Sequence, residues 1–232
     1  MLKSFFLLLI LLLAQFIAAI CHLLFPSISL GTWFFVGVST SLTTLYFFPL
    51  SEPLRLSAVR GKDAGLIVGM LLVGTGLSLL LTPFNLESEL ALAQFRQIAD
   101  SYLGLATLCF MGPLLEEIVF RGGIQQHLKR TGLSRWWAIL ITSLAFALVH
   151  GNVMQALPAM LLGVVLGWLY EKRGYHVAVM AHVANNIIGV IGLKYEKTFE
   201  FIESFPTSYL LLLGAALTAL GLWGVYQLIQ KS

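Results

Sequence analysis

Residues 112–123, Gly-Pro-Leu-Leu-Glu-Glu-Ile-Val-Phe-Arg-Gly-Gly, place two carboxylates and a guanidinium in a run that otherwise reads as lipid-embedded helix. An ionisable side chain near the bilayer midplane costs roughly 2.5–3.5 kcal/mol on insertion scales, so three in six residues demand compensation. On a helix Glu117 and Arg121 are four apart with the glutamate N-terminal, the better order for an ion pair. Glu116 lies about 100° round the helix from Glu117 and has no local partner. An unpaired intramembrane carboxylate marks a candidate functional site. The chemistry open to it is proton transfer: held against a histidine, a carboxylate takes a proton from water as general base. Donors nearby would then stabilise the oxyanion of a tetrahedral intermediate.

Three further polar groups stand in apolar runs at helical spacing. Phe146 and His150 are four apart, as are His182 and Asn186, with Asn185 beside them. His22, His127 and His176 fall at or near span ends and are less informative. Counted outward from the turn Thr131-Gly132-Leu133-Ser134, Glu116 and His150 are nearly equidistant, so a straight hairpin places them face to face. Pro113 predicts a kink that frees the carbonyl of Cys109, and Gly122-Gly123 loosens the other side; such a bent helix is a plausible floor for a water-filled cavity. His182 fits this ruler less well: its distance from the turn near Gly174 leaves it roughly 9 Å off the depth of His150 at 1.5 Å per residue.

The elements that must position these groups are transmembrane helices. The 232 residues are 58% hydrophobic and 11% charged, against roughly 25% charged in soluble domains, so the chain reads as an all-α polytopic membrane protein in one domain. At about 20 apolar residues per span, about eight spans are expected, near 4–25, 28–50, 64–82, 99–127, 136–150, 154–171, 175–193 and 207–229. Lys3, then Arg55, Arg60 and Lys62, then Lys129, Arg130 and Arg135, then Lys172 and Arg173, then Lys231 fall in every second connection. The alternate connections hold Glu87, Glu89 and Arg96, the uncharged Gly151-Asn152, and Lys194, Glu196, Lys197, Glu200 and Glu203. This asymmetry predicts cytoplasmic N- and C-termini. Met1 to Phe25 reads as a retained first span, its apolar run being longer than the roughly 7–15 residues of a signal-peptide core.

Smaller features fit this architecture. Gly65 with Gly69, and Gly163 with Gly167, are small-xxx-small pairs that let helices approach. Trp136-Trp137 beside Arg135 reads as an interfacial anchor, and 83–98 as a loop or short surface helix. Cys21 and Cys109 read as small hydrophobes rather than a disulfide or metal pair. No basic face suggests a nucleic-acid partner.

Glu-Glu-x-x-x-Arg at 116–121, Phe-x-x-x-His at 146–150 and His-x-x-x-Asn at 182–186, in that order on successive helices, resemble the CPBP family. This family includes the type II CAAX prenyl endopeptidases and bacterial relatives such as bacteriocin-processing and self-immunity proteins. The resemblance covers roughly residues 100–195; the remaining spans are generic. Each motif alone is weak, and the three in order are specific. The resemblance implies that Glu116 activates water with His150 assisting, that Glu117 and Arg121 complete the first motif, and that His182 and Asn186 stabilise the oxyanion. It also implies a membrane-anchored or lipid-modified peptide substrate and a cytoplasmic-membrane location.

The structural readings of the same residues stand beside these. Glu117–Arg121 alone is as well explained as an ion pair holding helices together, a lone histidine at a span end is usually satisfied locally, and Phe146 reads as packing beneath His150. No cofactor is expected; zinc is the alternative, and would want three protein ligands at about 2.0–2.2 Å. The rival functions are a non-catalytic immunity or scaffold protein of the same fold, and a proton-coupled transporter, against which no paired discontinuous helices appear in two matching halves.

Overall fold

The computed structural model describes residues 2–47, 53–84, 89–150, 153–195, 201–202 and 204–230. Glu87, Gly151, Asn152, Glu196, Lys197, Glu200, Glu203 and Lys231, used above in the charge pattern, lie outside the described residues, as do positions 48–50 of the second expected span. The regular elements among the described residues are helices, with no strand. In chain order the helices are α1 (Leu2–Leu24), α2 (Leu30–Phe47), α3 (Gly61–Leu81), α4 (Glu89–Ala99), α5 (Tyr102–Arg130), α6 (Arg135–Leu148), α7 (Val153–Arg173), α8 (Tyr175–Lys194) and α9 (Thr207–Gln230).

Four helical stretches are long and apolar enough to cross a membrane: Gly61–Phe84, Tyr102–Arg130, Tyr175–Lys194 and Thr207–Gln230. Leu8–Leu24, Leu30–Leu45 and Arg135–Leu148 are apolar but shorter. The 83–98 region contains most of the short helix α4, which meets the last turn of α1 through Gln97 Nε2 and His22 Nε2, 3.2 Å apart.

Lipid offers helices little hydrophobic drive to associate, so close packing of small residues has to supply it. The α3–α9 pair shows this directly. A Cβ on Gly76 would sit 2.7 Å from the Gly214 carbonyl, and one on Gly214 would sit 2.8 Å from that of Gly76. Gly65 and Gly69 face Leu228 and Val225 on the same partner, while Gly163 and Gly167 face Ser143 and Ile139 of α6. Both expected small-residue pairs therefore lie at helix contacts. One apolar core joins α3, α7, α8 and α9 around Leu66, Met70, Leu166, Val177 and Val225. A second joins α2, α5, α6 and α7 around Val38, Leu115, Phe120, Phe146 and Ala159. The polar motifs lie where α5, α6, α7 and α8 meet.

Two turns set that meeting point. After α5 the Leu133 amide returns to the Leu128 carbonyl at 3.2 Å and Gly132 takes φ +90, a glycine-terminated helix end that sends α6 back along α5. Between α7 and α8, Gly174 takes φ +82, and the next amide, Tyr175 N–H, donates to the Arg55 carbonyl at 2.7 Å. That carbonyl belongs to a non-helical strap, residues 53–60, laid across the α7–α8 corner. Ser57 donates to the Arg173 carbonyl and the Arg55 guanidinium to that of Glu171. Arg173 grips Asp63 at the start of α3 with two nitrogens, at 2.7 and 2.8 Å. The Asp63 carboxylate raises Arg173 further above its ordinary pKa.

Candidate active site

α5 is not a uniform α-helix. It runs as α over Tyr102–Ala106, in wide π turns over Thr107–Met111, as α over Gly112–Glu117, in π turns again over Ile118–Gln125, and ends as α over Gln126–Arg130. The first wide stretch moves the effect of Pro113. The Gly112 amide bonds to the Thr107 carbonyl, five residues back. In that register the next carbonyl, Leu108, falls to residue 113, a proline with no N–H. Asn186 supplies the missing donor: its Nδ2 reaches the Leu108 carbonyl at 2.9 Å. The expectation of a freed Cys109 carbonyl assumed α register; the π register moves the orphan to Leu108.

The second wide stretch carries Arg121. Its Nε lies 3.2 Å from Glu117 Oε2, with both side chains 0% exposed, as the four-residue spacing predicted. Its Nη2 donates to the Gly163 carbonyl of α7 at 3.3 Å, and the guanidinium lies 5.2 Å from the centre of the Phe146 ring. A buried ion pair left with one partner costs about 3–5 kcal/mol, so this contact locks the meeting of α5, α6 and α7.

The partner of Glu116 is His182. Its Nδ1 lies 3.0 Å from Glu117 Oε1 and its Nε2 lies 3.5 Å from Glu116 Oε2. One imidazole thus spans both carboxylates. Of the two acids, Glu117 is closed off at 0% side-chain exposure and Glu116 is reachable at 23%. Arg121 lies against Glu117, and the one imidazole faces both carboxylates. That is the arrangement a low-dielectric site favours, because an uncompensated buried charge is costly.

The structure therefore differs from the straight-hairpin expectation that set His150 against Glu116. No hydrogen bond or ion pair joins those two among the described residues. His150 Nδ1 lies 2.7 Å from the Phe146 carbonyl and its ring meets the Phe146 ring edge-on at 4.8 Å. A carbonyl can only accept, so Nδ1 carries the hydrogen and Nε2 is left as the free nitrogen. The same Phe146 ring meets His182 at 5.7 Å, so both histidines sit around one aromatic side chain despite the depth difference expected from counting. The count that set Glu116 against His150 failed because the wide turns over Ile118–Gln125 take up residues without the matching rise of an α-helix.

Sequence reasoning gave Phe146 only a packing role. It touches Phe120, His150, His182 and Arg121, and its four-residue spacing from His150 was the available signal. Tyr175 was missed: its hydroxyl donates to the Leu114 carbonyl at 3.1 Å, two residues before Glu116. Asn185 lies against α3, its Oδ1 occupying the space a Cβ on Gly74 would need. Among the described residues no three His, Cys, Asp or Glu side chains converge on a point that could hold a metal ion. Glu117 Oε1 faces His182 Nδ1 and Glu117 Oε2 faces Arg121 Nε, so these donor atoms are already paired within the chain.

The type II CAAX prenyl endopeptidase Rce1-like family matches residues 98–188. That stretch contains Glu116, Glu117, Arg121, His150, His182 and Asn186. Over those residues the chain is similar to the Rce1-like family. A Bacillus subtilis (strain 168) protein named "Putative membrane peptidase YdiL" is 30% identical over 130 residues, covering 55% of this chain and 52% of that protein. An Escherichia coli protein named "Uncharacterized 24.3 kDa protein" is 29% identical over 136 residues, covering 56% of this chain and 61% of that protein. The matches thus span little more than half of these relatives. No solved structure matches the chain. The bridge from Glu116 through His182 to Glu117 and Arg121 lies within the matched stretch.

Proposed function

We propose that this chain is a multi-pass intramembrane endopeptidase of the cytoplasmic membrane. On this reading it is one integral-membrane domain of eight spans with both termini in the cytoplasm, and it hydrolyses a peptide bond in a membrane-anchored peptide or protein. The observation that carries the reading is the His182 bridge, which leaves one reachable carboxylate, Glu116, beside a buried and charge-compensated partner.

In the reaction, Glu116 takes a proton from water as the water oxygen attacks the scissile carbonyl carbon, with His150 Nε2 as the second contact that orients the water. The tetrahedral oxyanion is met by His182 Nε2–H, released from its long contact with Glu116, and by the Asn186 N–H not given to Leu108. Glu117, braced by Arg121, holds the His182 ring in position. As the C–N bond breaks, Glu116 returns its proton to the leaving amine, so water is consumed and no metal is required for the balance.

The test is a cleavage assay on purified protein in lipid, using a panel of membrane-anchored peptides. Wild type, Glu116→Gln and His150→Ala run side by side, with and without chelator. Cleavage by wild type, abolished in Glu116→Gln and indifferent to chelator, is the expected result. Loss with chelator and recovery with zinc would transfer the same residues to a metal. Activity that survives Glu116→Gln would overturn the assignment, and a folded Glu116→Gln with full biological function would return the site to the scaffold reading.

A further inference from the structure

Among the described residues, and apart from Arg121 Nε and Glu117 Oε2, which face each other in the ion pair, three buried polar atoms in the α5–α6–α7 junction have no hydrogen-bond partner: Arg121 Nη1, Gln125 Oε1 and Thr142 Oγ1. All three residues are 0% exposed. Their positions are linked by register. Arg121 and Gln125 are successive turns of α5, reaching the Gly163 and Gly167 carbonyls one turn apart on α7. Phe146, under the Arg121 guanidinium, and Thr142 are successive turns of α6. In the antiparallel hairpin this sets Thr142 opposite Gln125, as Phe146 is set opposite Arg121. The three atoms are chemically complementary: a donor only, an acceptor only, and a hydroxyl that does both.

A buried polar atom left unpaired is costly, and internal water making two to four hydrogen bonds is the usual remedy. We propose that this junction is a binding site for resident water, held by Arg121, Gln125 and Thr142. The site lies within a polar column. Gln125 Nε2 donates to Glu171 Oε1 at 3.0 Å, and Glu171 Oε2 pairs with Lys129 Nζ at 2.7 Å, where the lysine is 30% exposed. In the other direction Arg121 leads through Glu117 and His182 to Glu116. On the topology and chemistry given under Proposed function, on which this rests, the column runs from the cytoplasmic end of α5 to the catalytic carboxylate. Resident water there feeds a hydrolase whose second substrate is scarce in lipid.

The experiment is radiolytic hydroxyl labelling of the lipid-embedded protein, read by mass spectrometry, with rates normalised to the unfolded chain. Bound water generates the label in place, so a buried residue beside it is modified. Phe146 is compared with Met70, which is 0% exposed inside the apolar core. Expected are a several-fold smaller protection of Phe146 than of Met70 in wild type and in Thr142→Ser, and protection of Phe146 rising to the Met70 level in Thr142→Val. Equal protection of the two residues in wild type overturns the proposal. So does a Thr142→Val protein that labels at Phe146 as wild type does, since that label would come from solvent at Glu116. No substrate is used, so failure of the peptidase assay and failure of this one are separate results.

Discussion

Replacing Arg121 by leucine removes the only guanidinium from the site while keeping an apolar side chain under Phe146. Glu117, fully buried, would keep one polar partner, His182 at 3.0 Å. Breaking one side of a buried ion pair costs about 3–5 kcal/mol. The surviving histidine contact places Arg121→Leu near the lower end, at about 3 kcal/mol. Removing both charges with Glu117→Leu and Arg121→Leu eliminates the stranded carboxylate, and such apolar replacement is often neutral or stabilising. The double variant is therefore expected to lose less stability than Arg121→Leu alone, with a coupling of about 2–3 kcal/mol. Unfolding by a graded denaturing detergent in mixed micelles, followed by circular dichroism, measures all four corners of the cycle. A loss below about 1 kcal/mol for Arg121→Leu, the range of exposed pairs, or a double variant that loses the sum of the two singles, would refute the placement of this pair as the lock between α5 and α7.

Other expectations follow from single contacts. Asn186→Leu strands the Leu108 carbonyl and should cost about 1–3 kcal/mol; adding Pro113→Ala, which restores a backbone donor at 113, should reduce that loss in the same detergent titration. Nitrogen-15 NMR of histidine-labelled protein should find His150 protonated at Nδ1, because Nδ1 faces a carbonyl, and a bare Nδ1 would reverse its role. Asp63→Asn should release the 53–60 strap to limited proteolysis and cost about 3 kcal/mol or more, since its bidentate contact to Arg173 is buried. Gly76→Val should separate α3 from α9 and cost about 1–3 kcal/mol as overpacking, read as a lowered detergent midpoint.

What the sequence disclosed depended on whether a contact is local. Glu117 with Arg121 was legible because four residues on one helix are neighbours whatever the tertiary fold. The helices were legible as apolar runs, and the two small-residue pairs as points of close approach. The partner of Glu116 was not, because the ruler applied to the hairpin assumed a constant α rise, and α5 changes register twice between Thr107 and Gln125. The same assumption put the orphan carbonyl at Cys109 and hid the link from Asn186 to Leu108. Residues 53–60 carry no periodicity, so the sequence marks Arg55 only as a basic residue between spans and does not single out Ser57 or, in the first turn of α3, Asp63. Their partners, Glu171, Arg173 and Tyr175, are distant in sequence. Gln125 and Thr142 became visible only once the hairpin register set them opposite each other.

The order in which the chain is made gives the α5–α6 turn a further consequence. A ribosome delivers Glu116, Glu117 and Arg121 to the membrane long before His182 has been synthesised. During that interval Glu117 can close only on Arg121 within its own helix, and the guanidinium finds its ring, Phe146, in the very next helix and its carbonyl, Gly163, in the one after. The tight reversal at Gly132 makes α6 the first of the later helices that α5 meets. Biogenesis of the fold is thus expected to proceed by entry of α5 and α6 as a pair, with α8 arriving later to cap a charge cluster that has already been made tolerable.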